Sequence, residues 1–209
     1  VFFDALIHAR EPQSMATVLY FMYYLLENYG INQEVTYLVN NREIYFVPVL
    51  NPDGYVYNQT TNPSGGGDWR KNRRNNSGSY GVDLNRNFGY KWGFDNTGSS
   101  STPSSETYRG PSSFSEPEAF YFRDFVQSKN IKTHINYHSY NNSIIYPWGY
   151  INQLTPDSST YIEYASYMSQ FNGYDYGNSY QTLSYVSNGT VRDWMYGEQT
   201  SKGKAYSYT

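Results

Sequence analysis

The sequence predicts an α/β domain built on a mixed, largely parallel, twisted sheet flanked by helices. Three observations carry that expectation. Val1 to Ile7 is a continuous apolar, β-prone run, the pattern of a strand buried on both faces. A helical segment and a second β-rich run, Glu43 to Leu50 (EIYFVPVL), follow it, and a strand–helix–strand order implies parallel strands covered by helices. The 209 residues, 38% hydrophobic and 16% charged, suit one domain, 1–209, able to bury a core without cross-links.

After the first strand, His8-Ala9-Arg10-Glu11-Pro12 reads as a loop. Met15, Val18, Leu19, Met22, Leu25 and Leu26 then recur at helical spacing, and Gly30 ends the helix. Residues 51–115 carry Pro, Gly, Asn and Ser clusters and read mostly as loop, and a stretch that long inside a domain usually has a function. Ser115 and Glu118 have the spacing of a capping box before Ala119, Phe122, Phe125 and Val126. Ile131 to Tyr137 is the third strand and Ile144 to Tyr146 a short fourth. Thr155-Pro156 opens a helix with Tyr161, Tyr164, Ala165, Met168 and Phe171 on one face.

Composition excludes several classes. A net charge of −3 leaves no basic excess for nucleic acid or an anionic membrane. No apolar run approaches the roughly 20 residues of a membrane span, and no signal peptide is visible. Cysteine is absent, which removes thiol nucleophiles, thiolate ligands and disulfides. The 26 tyrosines are read as compositional bias, although tyrosine also suits wet clefts. The chain begins inside a strand-like run without an initiator Met, the expectation for part of a longer chain.

Of the three histidines, His8 and His138 each stand where a strand runs out, the edge at which open α/β sheets bind ligands. His8 and Glu11 form an H-x-x-E pair, and zinc takes imidazole nitrogen and carboxylate oxygen at about 2.0–2.2 Å. Two His and one Glu make a catalytic zinc set with one position left for water. Alone, H-x-x-E is a common surface pattern. His134 lies within the third strand, four residues before His138, and reads as structural. Lys71, Arg73 and Arg74 read as a solvated basic loop.

The order of motifs is more specific. His8-Ala9-Arg10-Glu11, Asn51-Pro52-Asp53-Gly54-Tyr55, Trp69-Arg70-Lys71-Asn72-Arg73, Asp83-Leu84-Asn85-Arg86-Asn87-Phe88, Tyr108-Arg109-Gly110-Pro111, Phe114-Ser115-Glu116-Pro117-Glu118, His138-Ser139-Tyr140 and Tyr146-Pro147-Trp148-Gly149-Tyr150 follow one another. In order and spacing the chain closely resembles the pancreatic-type carboxypeptidase A/B family of zinc metallocarboxypeptidases, over nearly its whole length. The resemblance implies His8, Glu11 and His138 as ligands of one Zn2+, and Asp83 as the carboxylate bonded to the first zinc histidine. It implies Arg70 as the group polarising the scissile carbonyl, Asn85 and Arg86 as the clamp on the terminal carboxylate, and Arg10 and Tyr140 in substrate binding. Tyr185 matches the mobile tyrosine that closes over the bound residue.

Tyr185 to Trp194 (YVSNGTVRDW) matches the family without a gap and puts Arg192 where the family sets charge preference. An arginine there resembles the forms that prefer acidic residues; the alternative has Arg192 turned outward onto another carboxylate. The resemblance also implies a general-base glutamate just past Thr209, further strands before Val1 and a final helix, so the 209 residues alone are expected to turn over little or nothing. Glu198, in the Tyr196-Gly197-Glu198 turn, is not given that role. Peptide or protein C-termini are the implied substrate, for a monomer on a secreted or lysosomal-vacuolar route. Sequons at Asn58, Asn75, Asn141 and Asn188 support that route mildly. The alternatives are an inactive zinc-binding relative, a zinc amidase sharing the H-x-x-E start, and a tyrosine-rich structural domain without metal.

Overall fold

The computed structural model describes residues 1–209. Its central sheet has the order β2-β1-β3-β6, where β1 is Phe2–Ala5, β2 Tyr45–Val47, β3 Thr133–Tyr137 and β6 Tyr206–Tyr208. Every pairing is parallel: Phe2 stands opposite Tyr45 on one side and His134 on the other, and Thr133 opposite Tyr206. A second, two-stranded sheet pairs β4 (Ser143–Ile145) with β5 (Asp175–Gly177), again in parallel. The expected strand at Ile144 to Tyr146 therefore forms, outside the main sheet.

The helices are α1 (Pro12–Asn28), α2 (Gln33–Asn41), α3 (Pro52–Thr61), α4 (Pro117–Gln127), α5 (Ser158–Ser169), α6 (Ser179–Leu183) and α7 (Val191–Gly197). The main core lies between the sheet, α4 and α7, where Phe2, Phe88, Phe122, Val126 and Trp194 are buried. A smaller tyrosine-rich core joins Tyr146, Tyr161, Tyr196 and Tyr208. Some of the tyrosine excess is thus structural rather than mere bias: Tyr161 is fully buried, stacks on Tyr146 and donates no polar demand to solvent. No helix is long and apolar enough to cross a membrane.

Several expected boundaries move for physical reasons. The second strand shrinks to Tyr45–Val47 because Pro48 has no N–H to give to a ladder. The region 51–115 is not all loop: α3 forms behind Asn51, whose Oδ1 accepts from Gly54 N. The Ser115/Glu118 capping box is not made. Pro117 starts α4, Glu116 is its N-cap without a side-chain cap bond, and Ser115 Oγ donates to Glu116 Oε1 instead. The helix expected at Thr155-Pro156 begins at Ser158, since Thr155 closes a turn first and the Asp157 carboxylate is taken by Tyr196 and Lys204. Its buried face is Tyr161 and Ala165, while Tyr164 and Phe171 are exposed. On α1, Leu26 is likewise exposed.

Candidate metal centre and substrate cleft

Because β1 and β3 are adjacent and parallel, their C-terminal ends deliver His8 and His138 to the same edge, with ring centroids 4.7 Å apart. Glu11 follows His8 by three residues across the turn into α1 and reaches both. Its Oε1 lies 2.9 Å from His8 Nδ1 and its Oε2 2.8 Å from His138 Nδ1. One donor atom from each of the three residues lies within 4.8 Å of the others.

The other imidazole nitrogens are occupied. His8 Nε2 faces Asp83 Oδ1 at 3.2 Å, and His138 Nε2 faces Asn136 Oδ1 at 2.5 Å. Both rings thus turn Nδ1 toward a single point, which is the donor set and outer-partner arrangement of a zinc site with an open position. Burial pushes His138 below the ordinary histidine value, which keeps the imidazole neutral as a ligand must be. Burial opposes ionisation of Glu11, but the two imidazoles outweigh it and hold its carboxyl well below the usual range.

A cleft of about 720 Å³ opens on this point and is lined by Arg70, Asn85, Arg86, Tyr140, Tyr185 and Arg192 among others. Glu11 is the only carboxylate side chain of the lining, against three guanidinium groups. Asp83, fully buried behind the cleft, anchors two of them. Its Oδ2 accepts from Arg70 Nε and Nη2 at 3.1 and 2.8 Å, and Arg86 Nη1 lies 3.8 Å away. Burial disfavours the Asp83 charge, yet Arg70, Arg86 and His8 together hold its carboxyl well below the usual range. Arg86 also donates to Gly98 O and Asn85 O, and Asn85 Oδ1 accepts from Val191 N, which fixes both side chains from the backbone.

Arg192 enters from the first turn of α7 and is 4% exposed. Its Nη2 donates to Ser179 Oγ at 2.6 Å, and its Nε has no partner. No carboxylate pairs with it within salt-bridge distance. Asp193 next to it is engaged by the N–H groups of Gly149 and Tyr150. Gly149 packs so closely that a Cβ there would fall 2.8 Å from Arg192 Nη2. Burial lowers the Arg192 value, with Asp193 partly offsetting it. Such a cation, desolvated and only partly bonded, is primed for an anion.

Other expected residues lie at the rim or outside. Tyr140 is almost fully exposed and Tyr185 half-exposed. Arg10 pairs with Asp68 at the surface at 3.0 Å. Glu198 accepts from Thr200 N and Ser201 N, outside the cleft lining. The basic loop is solvated only at Arg74, which is exposed. Lys71 is buried and donates to Pro103 O and Ser105 O, Arg73 is caged by Tyr57, Trp69 and Tyr80, and Arg74 pairs with Glu116. Charge alone misread it because its partners come from residues distant in sequence. His134 is fully buried, as a structural histidine is. Sequence reasoning passed over Asn136 and Asp4. The signal for Asn136 was its alternation: it shares the strand face of His134 and stands two residues before His138.

A family model described as zinc carboxypeptidase matches residues 1–209. Carboxypeptidase A2 of Rattus norvegicus is 37% identical over 204 residues, covering 94% of this chain and 48% of that protein. Carboxypeptidase A1 of Mus musculus is 36% identical over 218 residues, covering 100% and 49%. The chain thus spans about half the length of the curated relatives it matches. The crystal structure of thrombin activatable fibrinolysis inhibitor superposes with a TM-score of 0.85 at 32% identity, covering 99% of this chain and 53% of that one. With sequence, fold and the converging His8, Glu11 and His138 in agreement, the chain belongs to the zinc carboxypeptidase family.

Proposed function

We propose that this chain forms the zinc-holding core of an exopeptidase that removes single residues from peptide C-termini, with a preference for C-terminal Glu or Asp. His8, Glu11 and His138 would hold the zinc. When bound, the ion supplies a Lewis acid and lowers the pKa of water to about 7. The terminal carboxylate is gripped by Asn85 and Arg86, a guanidinium suiting a planar anion. Arg70 lies next to the metal ligands and stabilises negative charge developing on the scissile carbonyl oxygen, usually the largest catalytic contribution. Asp83 holds His8 and Arg70 together. Tyr185 closes over the bound residue, and Arg10 and Tyr140 serve the more distant part of the peptide. The lining offers no carboxylate side chain other than Glu11. The substrate is a free peptide or protein C-terminus met on a secreted or lysosomal-vacuolar route.

The acidic preference rests on one observation: Arg192 is a buried guanidinium with an unpartnered Nε and no carboxylate beside it in the cleft. A Glu or Asp side chain would supply the missing anion, and a Lys or Arg would meet like charge. Peptides differing only in a C-terminal Glu, Phe or Lys should be cleaved by the intact protein in that order of kcat/KM. Arg192→Met should lower kcat/KM for the Glu peptide by about 10–100-fold and raise it for Phe. Faster cleavage of Phe or Lys by the unmodified protein would refute the preference.

A further inference from the structure

A histidine that binds metal through one ring nitrogen must carry its proton on the other, and the partner of that other nitrogen decides which is which. His138 Nε2 lies 2.5 Å from Asn136 Oδ1. An amide has a donor end and an acceptor end, so Asn136 can select either tautomer depending on how it is turned. Asp4 fixes the turn. The Asp4 carboxylate offers only acceptors, and Asn136 Nδ2 donates to its Oδ1 at 2.5 Å. The amide oxygen is therefore left for His138, whose Nε2 must be the donor. With a metal at the point shared with His8 and Glu11, Nδ1 is left to supply its lone pair there; without one, Glu11 Oε2 at 2.8 Å competes for a proton on Nδ1. Asn85 Nδ2 also approaches His138 Nε2, but at 3.5 Å, too far to compete with the Asn136 contact.

Asp4 is held in turn. His134 Nε2 stands 3.4 Å from Asp4 Oδ2, and neither atom has a hydrogen-bond partner elsewhere. Ser207 Oγ and His134 Nδ1 lie within hydrogen-bond distance at 2.7 Å. Strand register makes this possible: Asp4 is opposite Asn136, and His134 opposite Ser207, across three adjacent strands. Ser207, His134 and Asp4 have the order of a nucleophilic triad, but all are 0% exposed and His134 is packed by Phe2 and Phe122. With no route for substrate, their value is positional. Buried polar groups without a packing purpose would be expensive.

We propose that Asn136 is a positioning residue for the metal ligand His138, and that Asp4, backed by His134 and Ser207, orients its amide so that His138 presents Nδ1 to the metal. This rests on the zinc reading above. In the zinc-loaded intact protein, long-range proton–nitrogen NMR of the imidazoles should find His138 protonated on Nε2 and bound through Nδ1. Zinc affinity, measured by competition with a chromophoric chelator, should fall about 10–100-fold in Asn136→Leu. Asp4→Asn, which frees the amide to turn, should weaken zinc in the same direction and mix the His138 tautomers. A folded Asn136→Leu with unchanged affinity, or a zinc-loaded unmodified protein with His138 protonated on Nδ1, overturns the proposal. If Asn136→Leu does not fold, the tautomer in the unmodified protein decides alone. An unmodified protein that binds no zinc would remove the zinc reading instead, which keeps the two failures distinct.

Discussion

Asp83 is fully buried and serves three side chains at once: His8 through Oδ1, Arg70 through Oδ2, and Arg86 at longer range. Removing its charge leaves two guanidinium groups facing a neutral amide. Asp83→Asn is therefore expected to destabilise the fold by about 3–5 kcal/mol, read by urea unfolding of the zinc-free protein. A loss near zero would mean the arginines find other partners. Glycan mapping offers a second residue-scale check. Asn58 is buried, with its amide bonded to Trp69 N and O, and Asn188 is buried against Asp95. Sugars are expected at neither, whatever is found at the exposed Asn75 and Asn141.

At the scale of elements, α3 carries a constraint that its sequence disguises. Asn51-Pro52-Asp53-Gly54 looks like a turn, yet Pro52 sits in the first helical turn and Asn51 caps it. Gly54 is required by proximity: a Cβ there would lie 2.5 Å from Lys71 O and 2.8 Å from Ala9 Cβ. Gly54→Ala should cost about 1–3 kcal/mol by overpacking, in spite of alanine's better helix propensity; thermal unfolding would register a gain if the backbone yields freely. The two candidate metal histidines were legible because strand periodicity and turn residues are local signals, and both stand at strand ends. The capping of α4 and the pairing of Lys71 were not legible. Ser115 is displaced by Pro117, and the acceptors of Lys71 are carbonyls more than thirty residues away. Asn136 was hidden differently, since nothing local distinguishes an amide that orients a ligand from one that fills a strand.

For the whole molecule, one cleft joins a metal donor set to three guanidinium groups with only Glu11 to oppose them. That distribution is what the proposed preference for acidic chain ends rests on. The parallel sheet makes the site possible by placing β1 and β3 side by side, so His138, 127 positions after Glu11, reaches the same carboxylate as His8. Metal analysis joined to X-ray absorption on the intact protein tests this most directly. The account predicts one zinc per chain with two imidazoles and a carboxylate among its ligands, and loss of that zinc in His8→Ala, Glu11→Ala and His138→Ala alike. Stoichiometric zinc retained with unchanged ligands in any of these variants would contradict it.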